Sequence, residues 1–491
     1  MTEFEASRIR NFALVGHGSS GKTILAESML ACSGAINRLG SVEQGNTMSD
    51  YHEDEQQRQI SIHTTPLFAE WKSCKLNILD TPGYADFVGE TLSALRVSDF
   101  VVLTVHGAHG IELGTEQIWE RIGEMGIPPV AVINVLDAEN VKFDQILADL
   151  SDRFGKRFFP ITLPVNPGPG FDGVVDVLNR KLHRYQTEGS GSFKSEELPS
   201  EWQERVEELY QQLMENVAES DDGLLEKFFE EGELSAAEIQ DGLKGALLQQ
   251  TFIPVFVAAS SISVGVPQLM DFIGDHAPSP LDTGKSEAMR SDESKVDISV
   301  EDASPLLSVF KTLSEAHVGE LSFFRVFSGR IETGMDLQNT SRDHQERVGQ
   351  IFQMNGKERS QVKSIGPGDL AAFVKLKNTH TGDTLSDPKT GLKLPGIDFP
   401  APNLSGALKL KSKGEEEKMS IGLSTLHEED PTFIYRGDPE LRQTLIFGQG
   451  ELHLQIISER LKNRFQVEVD LVQPRIPYRE TIRRKGESKY R

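Results

Sequence analysis

Cysteine is nearly absent. Cys32 and Cys74 are the only two in 491 residues, which excludes a disulfide scaffold and leaves no cysteine cluster for a structural zinc ion. Long apolar runs are missing too: no stretch reaches the ~18 uninterrupted apolar residues that a membrane span needs. The opening, MTEFEASRIR, is polar and carries acids, unlike a secretory or transit leader. A cytoplasmic protein with no membrane partner is expected. Positive charge is in deficit, with 51 Lys and Arg against 75 Asp and Glu and a formal net charge of −24. Diffuse attraction to a nucleic-acid backbone therefore cannot be the main route to a partner; DNA is not an expected ligand, and any RNA contact must come from local patches. What is present is ordinary for a globular chain, 37% hydrophobic and 26% charged. The length exceeds what one core usually holds, so three or more domains are expected.

The stretch with most chemistry is Gly16-His17-Gly18-Ser19-Ser20-Gly21-Lys22-Thr23, directly after the apolar run Phe12-Ala13-Leu14-Val15. It reads G-x-x-x-x-G-K-T, the pattern of a phosphate-binding loop, for which composition predicts ~0.02 accidental matches in a chain of this length. Glycines let backbone N–H groups converge on phosphates, Lys22 would reach the β- and γ-phosphates, and the Thr23 hydroxyl would bind Mg²⁺. Ile24 to Leu30 has helical spacing, which completes the strand, loop, helix order.

Residues 41–65 are polar and aperiodic and read equally well as a solvated loop or as a nucleotide-sensing switch. Lys75 to Leu79 is a strand candidate ended by Asp80-Thr81-Pro82-Gly83. Asp80 can hold the hydration shell of Mg²⁺ and Gly83 can offer its N–H to a γ-phosphate, although D-T-P-G is also good turn chemistry. Two further buried-strand runs, Phe100 to Val105 and Pro129 to Ile133, lead into Asn134-Val135-Leu136-Asp137. Guanine offers two ring-edge N–H donors to a carboxylate such as Asp137, which adenine does not.

These motifs, in this order, resemble the translational GTPases, and specifically the elongation factor G family: GHGSSGKT, QRQISI in place of a switch with R-G-I-T, DTPGY, NVLD, and Ala259-Ser260 after the strand Ile253 to Val257. The resemblance implies GTP and GDP as ligands, Mg²⁺ held by Thr23 and Ser61 and through water by Asp80, and a catalytic set around Lys22, Gly83 and the residue after it. It implies an α/β domain with a doubly wound sheet over residues 1–278, carrying an inserted subdomain at about 157–252 with two acidic helical segments, 201–219 and 224–250. The partner it implies is the ribosome, with the inserted subdomain a contact for stalk proteins, and a monomer off the ribosome.

Four positions depart from the family. Its catalytic histidine is Tyr84 here, its N-K-x-D lysine is Val135, and the switch glycine and threonine are Gln59 and Ser61. Weak or altered hydrolysis is expected, since loss of a water-positioning group costs ~10²–10⁴ in rate. Val135 is expected to be too short to brace the phosphate loop, whereas Ser61 keeps the hydroxyl. A GTP-dependent regulator with negligible turnover is an alternative from another class, and a ribosomal protection protein, which frees ribosomes of tetracycline, is a third.

Residues 279–304 are polar and read as a linker. Short β-rich runs with glycine turns over 305–400 predict an all-β barrel, resembling the family's second domain at GELSFFRVFSG and ERVGQIFQM. Residues 401–475 run strand, helix, strand, strand, helix, strand, an α+β split β-α-β sandwich resembling its third domain. There Leu454, Ile457 and Leu461 share a helix face and predict core, while His427 and His453 are expected to be packing or surface residues. In the family, Y-R-E-T-I opens a fourth domain; residues 476–491 are therefore expected to be the strand-like start of one, in a truncated chain.

Overall fold

The computed structural model describes residues 3–186, 191–315, 318–481, 484 and 486–490. Ile482 of the Y-R-E-T-I stretch lies outside them. Strand β1 (Ile9–Val15), followed by α1 (Lys22–Cys32), runs up the middle of the first sheet. After α2 (Glu53–Arg58) come the hairpin β2 (Thr65–Trp71) and β3 (Cys74–Asp80), then α3 (Val88–Arg96), β4 (Phe100–His106), α4 (Leu113–Met125), β5 (Pro129–Asn134), α5 (Phe143–Phe154) and β6 (Phe158–Pro160). Alternate residues of β1 serve opposite faces. Ala13 and Val15 pack with Leu95, Ile118 and Ile146 of α3, α4 and α5, whereas Phe12 and Leu14 pack with Leu25, Met29 and Ile273. Two covered faces explain the nearly continuous apolar strands.

Strand β6 belongs to this sheet and not to the insertion. The inserted antiparallel sheet comprises β7 (Thr162–Pro164), β8 (Gly173–Asp176), β9 (Lys181–Tyr185) and β10 (Phe193–Glu197), followed by α6 (Ser200–Ala218). The second acidic segment is two helices, α7 (Asp222–Glu231) and α8 (Ala236–Gln249), and not one. Gly232 ends the first at φ 77°, and a capping box of Ser235 and Glu238 starts the second. The chain then returns through β11 (Ile253–Val257) to α9 (Val266–His276), giving the sheet order β2-β3-β1-β4-β5-β11-β6, parallel except for β2.

Residues 279–304 are not a bare linker. They fold into a hairpin, β12 (Ser286–Met289) with β13 (Lys295–Ile298), because Ala288 and Ile298 find a core with Leu306, Phe327 and Leu394. The β-rich segment that follows is an eight-stranded antiparallel sheet centred on β14 (Leu306–Glu315) and β15 (Gly319–Ser328). Residues 1–398 form one compact unit, in which the α/β sheet and the β-rich sheet pack on each other. The physical cause is a buried polar seam. Lys75 Nζ lies 2.7 Å from Asp369 Oδ1, Arg325 Nη2 lies 2.6 Å from Asp99 Oδ1, and Lys311 Nζ lies 2.6 Å from Glu90 Oε2.

The second unit, residues 399–491, is a four-stranded antiparallel sheet with α10 (Glu416–Glu429) and α11 (Glu451–Phe465). Leu454, Ile457 and Leu461 are in its core, His453 is buried beside Asp430 at 3.0 Å, and the His427 ring meets the Phe433 carbonyl. Residues 473–481 carry no strand, and Ile476 and Tyr478 stand exposed.

Candidate functional site

The phosphate loop leaves β1 at the carboxyl edge of the sheet, where β3 and β4 flank β1 on opposite sides, the crevice in which α/β sheets bind ligands. Two of its glycines are obligatory. Gly16 has φ 142° and a Cβ there would strike the Thr104 carbonyl; Gly21 has φ 86° and a Cβ would strike the Asn134 amide. Gly21 also caps α1 without a side-chain hydrogen bond, leaving the helix N-terminus suited to an anion. Lys22 is buried and donates to the Gly16 and His17 carbonyls at 3.0 and 2.8 Å. Burial lowers its pKa to about 8, against the opposing pull of Asp80 and Asp50. His17 is engaged sideways, its Nδ1 accepting from Gly114 N at 3.1 Å. Gly83 approaches so closely that a Cβ would lie 2.5 Å from both Gly18 N and Lys22 Nζ, and the half-exposed Tyr84 ring lies over Gly18.

Beside Lys22 is a corner of hard oxygen donors. Thr23 Oγ1 and Ser61 Oγ are 3.0 Å apart. Asp80 is fully buried, accepts from Ser49 Oγ at 2.6 Å through Oδ2, and keeps Oδ1 without a hydrogen-bond partner. Burial raises its pKa. Two hydroxyls and a carboxylate with a spare oxygen fit Mg²⁺, which prefers such ligands and retains water. Asp50, also buried, is pushed up to about 7, chiefly by desolvation and then by Asp80. Glu55 is buried and accepts from Ile62 N and His63 N at 3.0 and 2.9 Å, which shapes the turn that carries Ser61. Gln59 ends α2 at φ 55°, a left-handed conformation that glycine adopts freely and glutamine does not.

The base-reading segment divides its work. Asn134 Nδ2 donates to the Ser20 and Gly21 carbonyls at 3.2 and 3.3 Å, and its Oδ1 accepts from Ser260 N at 3.2 Å and Ser260 Oγ at 2.8 Å. It braces two loops. Ala259 is buried and its N–H closes on the Val264 carbonyl, whereas Asp137 receives Ser261 Oγ at 2.6 Å. Val135 corrects an expectation. At φ 61° its Cγ2 comes within 3.4 Å of where a Gly21 Cβ would lie, so it does reach the phosphate loop. Ser49, Asp50 and Ser261 escaped the sequence reading, since each differs from neighbouring serines and acids only by a contact far along the chain.

Residues 7–279 match the elongation factor Tu GTP binding domain, residues 306–388 match elongation factor G domain 2, and residues 399–473 match elongation factor G domain III. The chain is also similar to a solved crystal structure of a protein from Thermus thermophilus, with 31% identity and a TM-score of 0.86, over 96% of this chain and 68% of that one. The chain belongs to the translational GTPases of the elongation factor G type.

Proposed function

We propose that the chain binds GTP and GDP at this site, associates with the ribosome in the cytoplasm, and hydrolyses GTP slowly or only under a trigger. The observation that carries the nucleotide reading is the convergence of Lys22, Thr23, Ser61, Asp80 and Gly83 at the end of β1. Thr23 and Ser61 would hold Mg²⁺ directly and Asp80 through water; when bound, the ion neutralises charge on the β- and γ-phosphate oxygens. Lys22 turns from the loop carbonyls to the phosphates, and the loop amides and Gly83 N–H stabilise charge as it develops. Asp137 reads the guanine edge. Asn134, Ala259 and Ser260 contribute by fixing the loops.

The slow step is assigned to Tyr84. Its phenol offers no imidazole nitrogen to orient an attacking water, and its ring is already packed on Gly18. The same packing favours a second reading, a GTP-dependent ribosome-binding regulator with negligible turnover. GTP hydrolysis measured with and without ribosomes, beside ribosome pelleting in a non-hydrolysable analogue, separates the two. Tyr84→His is expected to raise ribosome-stimulated turnover by ~10² or more. A wild-type rate equal to that of a histidine-bearing relative, and unchanged in Tyr84→His, refutes the assignment.

A further inference from the structure

The loop after β11 holds three serines in a frame with little freedom. Ala259 N donates to the Val264 carbonyl at 2.9 Å and Val264 N returns to Ala259 O at 3.2 Å, closing a ring around a 3₁₀ turn at Ser260–Ile262. Gly265 locks the exit: it has φ 79°, and a Cβ there would collide with the Val257 carbonyl. From this frame each serine reaches a different part of the site. Ser260 bonds Asn134, Ser263 Oγ receives Ser28 Oγ of α1 at 2.8 Å, and Ser261 donates to Asp137 Oδ2 at 2.6 Å.

We propose that Ser261 is a positioning residue that determines guanine specificity, by fixing the plane of the Asp137 carboxylate. This rests on the reading of Asp137 as the guanine-reading group. A carboxylate can meet the N1–H and N2–H donors together only when both oxygens face the base edge. A free aspartate rotates out of that plane. Ser261 occupies one lone pair of Oδ2 with a short charge-assisted bond, and leaves Oδ1 and the second lone pair of Oδ2 for the two base donors. Ser261 is the side-chain donor to Asp137 among the described residues. The neighbouring Val135 carries no polar group that would share the task.

Competition with a fluorescent GDP, at fixed Mg²⁺ on the full chain, tests this with GDP, ADP and IDP, the last of which lacks the 2-amino donor. Ser261→Ala is expected to weaken GDP roughly tenfold, to weaken IDP less, and so to collapse the preference for GDP over IDP. Ser261→Thr restores that preference, and Ser261→Cys, of similar size but a weak donor, behaves like alanine. Ser261 is exposed, so thermal unfolding stays as in the wild type. An unchanged ratio of GDP to IDP affinity in both Ser261→Ala and Ser261→Cys overturns the proposal. A wild type that takes ADP as well as GDP overturns the guanine reading beneath it, and the proposal falls with that reading.

Discussion

Asp369→Asn strands a lysine ammonium inside the first unit. Lys75 Nζ lies 2.7 and 2.8 Å from the two Asp369 oxygens, and the carboxylate also accepts from Asn77 Nδ2 at 3.0 Å, Gln353 Nε2 at 3.4 Å and Leu370 N at 2.8 Å. The two side chains are 2% and 7% exposed. At an effective dielectric of ~20 the attraction at this distance is about 6 kcal/mol before desolvation is charged against it. A loss of ~3–5 kcal/mol is expected, the usual cost of breaking a buried pair from one side.

Urea unfolding at pH 7 reads this out. A double variant, Lys75→Met with Asp369→Leu, recovers most of the loss, short by ~1–2 kcal/mol for the amides of Asn77 and Gln353. A deficit under ~1 kcal/mol refutes the claim that this pair is a desolvated weld between the α/β sheet and the β-rich sheet.

Two further outcomes follow from the site. The Lys22 amine, held at about 8 by burial, must be charged to meet phosphate, so GDP affinity should fall about tenfold per pH unit above pH 8, by fluorescence titration, and Lys22→Met should lose that slope. The sign for the free protein is opposite: between pH 8 and 10.5 the unfolded lysine holds more proton than the folded one, so stability rises with pH there. Val135 is a β-branched residue at φ 61°, and Val135→Asn, which tolerates that region, should stabilise the chain by ~0.5–1 kcal/mol in thermal unfolding.

Local chemistry was legible where a residue type is demanded by the backbone. Gly16 and Gly21 are required by positive φ and by the Thr104 and Asn134 atoms against them, and their spacing alone announced the loop. The S-x-x-E of Ser235 and Glu238 was equally visible, yet the acidic run around it masked the break between α7 and α8. The β12–β13 hairpin failed for a different reason. Its buried residues include an alanine, and a four-residue strand that turns one small side chain inward leaves almost no period-2 signal. Asp50 and Ser261 belong to neither class, because Asp50 gains its character from burial and then from Asp80, and Ser261 from its bond to Asp137, surroundings that no local pattern encodes.

The segment that carries Ser61 and the helix that follows Tyr84 converge on one carboxylate. Glu90 of α3 accepts from Thr64 N at 2.7 Å and from Lys311 Nζ of β14 at 2.6 Å, with His63 Nδ1 at 3.5 Å, while Tyr51 OH donates to Glu315, also of β14, at 3.0 Å. Lys311 is buried, so pulling Glu90 away from it costs several kcal/mol, as for Lys75. Residues 51–64 therefore cannot shift far from the phosphate site while α3 and β14 stay still. Either all three move as one body, or this segment remains docked. A packed polar cluster of this kind has discrete arrangements and no continuous range of them, and the β-rich sheet, welded to the nucleotide domain at Asp369 and Asp99, is thereby mechanically joined to the residues that would sense a γ-phosphate.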